Sequence, residues 1–161
     1  MAEQETQKTF VIEQSYFLEA PPHAVFQALT DPRELARWYA VKAEVDQKEG
    51  GTFSFEYATG PSWTGKVQRL EKDRVVSFST PMGASVEFEI AGQGEGTLLR
   101  LRHLGIRRTE ALEWFSSTWA YYLTNLKSVL GRGTDLRSKY DWMNQERQTR
   151  MRAGSPATGN P

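Results

Sequence analysis

The stretch GTLLRLRHLGIRRTEALEWFSSTWAYYLTNLKSVLGRG, residues 96–133, changes its period half-way along. From Thr97 to His103 the residues alternate, with Leu99, Leu101 and His103 on one side and Arg100 and Arg102 on the other. A period of two belongs to a half-buried strand. From Leu112 onward, Phe115, Trp119, Tyr122, Leu126 and Val129 recur at steps of three and four. That stripe marks a long amphipathic helix rich in aromatic residues. Thr109 can cap it, and Gly131 and Gly133 end it. A strand with one wet face that leads into such a helix predicts an α+β domain, in which the helix covers the dry side of a sheet.

Upstream, the same alternation repeats between turn signals. Residues 9–20 read as a first strand, with Phe10, Ile12, Tyr16 and Leu18 on one face; Gln14 interrupts that face and Phe17 lies on the other. Pro21-Pro22 then ends the strand and opens a short helix with Val25, Phe26 and Leu29 on one side. Asp31 followed by Pro32 gives the N-cap and first position of a second short helix, which ends at Trp38-Tyr39. Strands are expected over 41–46, 52–58, 63–71, 75–80 and 84–90, in addition to 97–103. Gly50-Gly51 marks a tight turn before Phe53, Phe55 and Tyr57. A bulge near Gly65 or Leu70 would reverse the inward face of one strand.

Composition narrows the function. Lys+Arg and Asp+Glu each number 20 in 161 residues, so no net charge draws the chain to nucleic acid or to a membrane surface. Cysteine is absent, which excludes thiolate catalysis, disulfides and zinc–cysteine sites and fits a reducing compartment. The polar start MAEQETQKTF lacks a signal-peptide pattern, and no apolar run approaches the roughly 20 residues of a membrane span. These features predict a cytoplasmic protein. Residues 1–8 read as disordered, 9–131 as the domain, and 132–161 as a basic extension, partly disordered, with one further short helix around Tyr140–Arg150. From Gly131 onward six basic residues face three acidic ones, too small an excess to argue for nucleic acid.

The segments APPHAVFQALTDPRELARWY, EGGTFSF, GKVQRLEKDRVVSFS and GTLLRLRHLG, together with the Trp-bearing last helix, resemble the activator-of-heat-shock-ATPase branch of the START-like (SRPBCC) superfamily. The resemblance runs from about Phe10 to Leu130 and is spread over spaced segments, with no single catalytic signature. It implies a helix-grip fold: a seven-stranded curved antiparallel sheet around the long C-terminal helix, with two short helices after strand 1 closing one end. It also implies a cavity between sheet and helix. Relatives include lipid carriers, plant hormone-binding proteins, polyketide aromatase/cyclases and a co-chaperone domain, so the fold leaves function open.

An apolar ligand site needs an apolar wall and a few polar groups that fix orientation. The expected wall is Trp38, Phe53, Tyr57, Trp63, Phe78, Phe88, His103, Phe115, Trp119 and Tyr122, with Trp38 near the cavity mouth. Each has a plainer reading as core. His103, inward beside Leu99 and Leu101, is the one candidate acid/base, and a satisfied structural histidine is the simpler account of it. No G-x-S-x-G appears, and two histidines without cysteine make a histidine-rich metal site unsupported. GQGEG, residues 92–96, joins two strands and so lacks the following helix of a phosphate cradle. The leading expectation is a binder of a small hydrophobic or aromatic molecule, with no cofactor and no metal. The rivals are a cyclase- or hydrolase-like enzyme using His103, and a co-chaperone or protein-interaction module. A homodimer stays open.

Overall fold

The computed structural model describes residues 8–58 and 60–139. The chain forms β1 (Phe10–Leu18), α1 (Pro22–Thr30), α2 (Pro32–Trp38), β2 (Lys42–Val45), β3 (Thr52–Glu56), β4 (Trp63–Glu71) and β5 (Val75–Ser79). A 3-10 turn at Pro81–Gly83 leads to β6 (Ser85–Gln93), β7 (Gly96–Ile106), α3 (Thr109–Arg132) and α4 (Leu136–Lys139). The N-terminus expected to be disordered, residues 1–8, lies outside the described residues except for Lys8, and the expected helix around Tyr140–Arg150 lies outside them entirely.

All seven strands join one antiparallel sheet in the order β1-β7-β6-β5-β4-β3-β2. β1 reaches β7 across the whole chain, and every other neighbour pair is a meander step. The outer face carries charged residues that pair across strands: Glu13 with Arg102 at 3.1 Å, Glu89 with Arg100 at 3.6 Å and Glu87 with Arg69 at 3.8 Å. Such exposed pairs add little stability and keep that face wet. The inner face is apolar and is covered by α3, which buries Trp119, Leu126 and Val129 of the sequence stripe together with Leu123 and Asn125 outside it, while Leu112, Phe115 and Tyr122 are half-buried. At 24 residues α3 is about 36 Å long, enough to cross the sheet.

Local chemistry explains the joints. Asp31 caps α2, its carboxylate accepting from the Arg33 N–H at 2.9 Å, as the Asp-Pro pair predicts. Thr109 does not cap α3; it is the first helical residue, and Arg108 occupies the cap position without a side-chain bond. Gly50 takes φ +79°, and a Cβ on Gly51 would lie 2.6 Å from the Asp46 carbonyl oxygen. Only glycine fits both demands. The turn they make bonds to Val67 from both sides, Gly50 N–H to its carbonyl and the Val67 N–H to the Gly51 carbonyl.

The bulge falls between Val67 and Arg69. Gln68 and Arg69 are consecutively exposed, and Leu70 turns inward after them. This is the parity reversal expected of an extra residue in one strand. Gln14, which breaks the apolar face of β1, is used: its amide donates to the Ser116 carbonyl on α3 at 3.0 Å and its oxygen accepts from the Tyr16 hydroxyl at 2.8 Å. β7 runs three residues past His103, to Ile106, with Gly105 at φ +81°.

Candidate functional site

Where β3–β6, α2 and α3 converge, the packing leaves an apolar void of about 10 Å³, little more than one water could occupy. Nine residues line it: Leu29, Leu35, Trp38, Tyr39, Phe55, Trp63, Phe78, Phe88 and Trp119. α1 supplies Leu29, α2 Leu35 and Trp38 with Tyr39 just after it, the sheet the next four, and α3 Trp119. Alternation brings Phe55, Phe78 and Phe88 to the same inner face from three strands.

Five of the ten expected wall residues line this void: Trp38, Trp63, Phe78, Phe88 and Trp119. Trp38 lies deep, not at a mouth: it is 1% exposed, and its indole N–H donates to the Ala28 carbonyl at 2.8 Å. A seven-residue helix pinned between α1 and β2 turns this side chain inward. Phe53 packs behind the wall, tilted against Phe55 at 4.9 Å and edge-on to Phe78 at 4.9 Å. Trp63 is half-buried and donates to the Ser79 carbonyl at 3.0 Å. Leu29 and Leu35 complete the wall, with no signal beyond their helical faces. Tyr39 and Phe55, part of the same sequence motifs as Trp38 and Phe53, line it as well.

Tyr39 is the hub. Its ring stacks on Trp119 at 5.9 Å and 10°, and meets Tyr122, Tyr57 and Phe55 edge-on at 4.8, 5.4 and 5.5 Å. The Tyr57 hydroxyl donates to the Tyr39 hydroxyl at 2.8 Å. Burial raises the pKa of Tyr39, Tyr57 and Tyr122, for Tyr39 well above the ordinary value; at Tyr122 the Arg137 charge partly opposes it. All three are therefore neutral hydroxyls at neutral pH, able to donate and to accept. Their rings pack on one another, Tyr57 against Tyr122 at 6.4 Å, and of the three only Tyr39 lines the void.

His103 and Phe115 form a separate corner. His103 is 2% exposed, its ring 4.6 Å from that of Phe115. Its Nδ1 accepts from the Trp119 indole N–H at 3.1 Å, which assigns the proton of the neutral ring to Nε2. Burial pulls its pKa down to about 4, so it is uncharged at neutral pH. It holds a wall residue in place and does not reach the void. Among the described residues no group of three His, Cys, Asp or Glu could hold a metal ion. Among them, too, no helix is long and apolar enough to cross a membrane.

A sheet gripping one long helix over an aromatic void defines the helix-grip class. Residues 19–131 match the family model of Activator of Hsp90 ATPase homolog 1-like proteins, and the chain belongs to that family. Its fold is similar to that of the Aha1 dimer from Colwellia psychrerythraea, at 23% identity and TM-score 0.73 over 78% of this chain and 98% of that one. An AHSA1-like protein from Rhizobium etli is 31% identical with TM-score 0.64, covering 78% and 84% of the two chains. CalU16 from Micromonospora echinospora is 28% identical with TM-score 0.63, covering 78% and 77%. No curated protein matches the chain.

Proposed function

We propose that this chain binds a small, mainly apolar or aromatic molecule between the sheet and α3. The observation that supports this most is the void itself, walled entirely by apolar and aromatic side chains at the point where sheet and helix fail to close on each other. The family it belongs to commonly holds hydrophobic ligands there. At about 10 Å³ the void is far below the roughly 300–1,000 Å³ of a ligand site, so binding requires one or more rings to move. Affinity would come from apolar burial, at about 25 cal/mol per Å² before the cost of that rearrangement. The neutral hydroxyls of Tyr39, Tyr57 and Tyr122 would give the ligand its direction. We assign binding to the 9–131 domain and place the protein in the cytoplasm, on its cysteine-free composition.

Native mass spectrometry of the purified protein, beside its denatured mass, tests this. A small adduct lost on denaturation supports it. Absence of an adduct, together with no binding across a panel of apolar aromatics, overturns it. Y39F and Y57F leave the cage shape intact and remove its direction, so they should weaken a polar-headed ligand more than a hydrocarbon.

A cyclase-type reaction has less support, because His103 is buried, neutral and already bonded to Trp119. A second copy of the chain is a better-supported partner than a chaperone. Trp114, on the first turns of α3, is 62% exposed, and the Colwellia relative is described as a dimer.

A further inference from the structure

α2 carries Trp38 and is followed at once by Tyr39, two of the nine residues around the void. Its side chains Leu35 and Trp38 are buried in the core, and the Trp38 indole N–H donates to the Ala28 carbonyl. A single residue, Asp31, separates α2 from α1, and its other end leads through Ala40 and Val41 into β2, the four-residue edge strand of the sheet. A short helix exposes its last carbonyls, and these must find partners outside it.

Here the partners come from far along the chain. The Arg137 guanidinium donates to the Ala36 carbonyl at 2.9 Å and to the Ala40 carbonyl at 3.2 Å. The Asn125 amide, 1% exposed, donates to the Trp38 carbonyl at 2.8 Å. Both donors are held in place by Asp135. Its carboxylate accepts from Asn125 at 3.0 Å and from Arg137 at 3.1 Å, the latter through both oxygens. Asn125 in turn accepts the Leu136 N–H. Three carbonyls in and just beyond α2 are thus tied to α3 and to the segment 134–137 by one connected polar cluster. None of Asn125, Asp135 and Arg137 lines the void.

We propose that Arg137, oriented by Asp135 and joined by Asn125, is a latch that holds α2 closed over the cage, and that its release is the step by which a small apolar molecule enters. The inference rests on the ligand reading above for its purpose, while the latch itself is testable without any ligand. Release would leave the Trp38–Ala28 and Tyr57–Tyr39 bonds to break as the α2 C-terminus turns about Asp31, carrying Trp38 and Tyr39 away from Phe55, Trp63 and Trp119. Arg137 is a positioning residue: it touches backbone carbonyls, not the cage interior. Lysine at this position carries the charge but cannot span Ala36, Ala40 and Asp135 with one planar fork.

Amide hydrogen exchange decides the matter. The amides of Tyr39 and Ala40 both bond to the Leu35 carbonyl and report on the end of α2. In R137Q they should exchange on the order of tenfold faster, the loss of about one net charge-assisted hydrogen bond, with R137K intermediate. Amides of β6 and β7 should keep their wild-type rates. Unchanged exchange at Tyr39 and Ala40, or equal acceleration throughout the sheet, overturns the latch. The same variants are then mixed with 1-anilinonaphthalene-8-sulfonate in stopped flow. Faster dye uptake in R137Q supports the latch as the entry step. Local exchange that rises while uptake keeps its wild-type rate refutes that role. A cage that takes up neither dye nor any apolar aromatic in any variant, with α2 exchange still accelerated, refutes the ligand reading and leaves the clamp on α2 standing.

Discussion

Acid should weaken this protein through His103, and the size of the effect follows from the site. An unfolded histidine has a pKa of about 6.5, whereas burial against Phe115 and Trp119 lowers that of His103 to about 4. Between those values the unfolded chain binds a proton that the folded chain refuses, so stability rises with pH across the window. The contribution is complete above pH 6.5 and is lost as pH falls toward 4. Between pH 7.5 and 4.5 the loss should be about 2–3 kcal/mol for this one group. With His103 2% exposed, solvent screening reduces it little. Carboxylates also titrate there, so the comparison is between wild type and H103Q, in which they cancel. Urea unfolding at pH 7.5, 6.5, 5.5 and 4.5 gives the two stability curves. Their difference should shrink in favour of H103Q by about 1 kcal/mol at pH 5.5 and by about 2–3 kcal/mol at pH 4.5. A difference that stays flat with pH would refute the buried, neutral histidine and its bond to the Trp119 indole.

Other substitutions separate wall from surface. Phe55→Ala removes a fully buried ring in contact with Tyr39, Phe53, Trp63 and Phe78, and should cost about 3–5 kcal/mol in chemical denaturation. Trp38→Ala should destabilise on the same scale, so a loss of ligand binding in that variant would report unfolding and not a lost contact. Asp31→Ala loses the α2 cap and should lower stability by about 1 kcal/mol, with Asp31→Asn near wild type. Trp114→Ser should change monomer stability by less than about 0.5 kcal/mol, and analytical ultracentrifugation will show a shift toward monomer if a second copy covers this face.

The elements were legible because period is a local property. Alternation in β3, β6 and β7 and the stripe of α3 are each written in one continuous stretch of chain, and the resemblance supplied the way they close. The bulge after Val67 was less exact: an extra residue leaves no compositional mark in WTGKVQRLE, where both parities place apolar side chains. The cap of α3 was misread because Thr109 has the right side chain for a role that the chain gives to Arg108.

Depth was the harder quantity. Parity gives the direction of Phe53 and Phe55 alike, yet only Phe55 reaches the void, since distance depends on how the sheet curves. Trp38 and Tyr39 end a short helix with no periodic register to place them. Their burial is set by bonds to Ala28 and Tyr57, and by donors from residues 125–137 that no local pattern links to α2. Asn125, Asp135 and Arg137 read as ordinary polar residues in the sequence; Asn125 and Arg137 reach α2 across 87 to 101 positions.

The indole N–H resonances of Trp38, Trp63 and Trp119 test the central claim most directly. Each has its own acceptor, on Ala28, Ser79 and His103, so each gives a distinct reporter inside the cage. Titrated with apolar aromatic molecules, these three should shift together and saturably while the exposed Trp114 signal stays in place. A panel that leaves all three unmoved in the folded protein, or that moves Trp114 alone, contradicts a ligand site between sheet and helix.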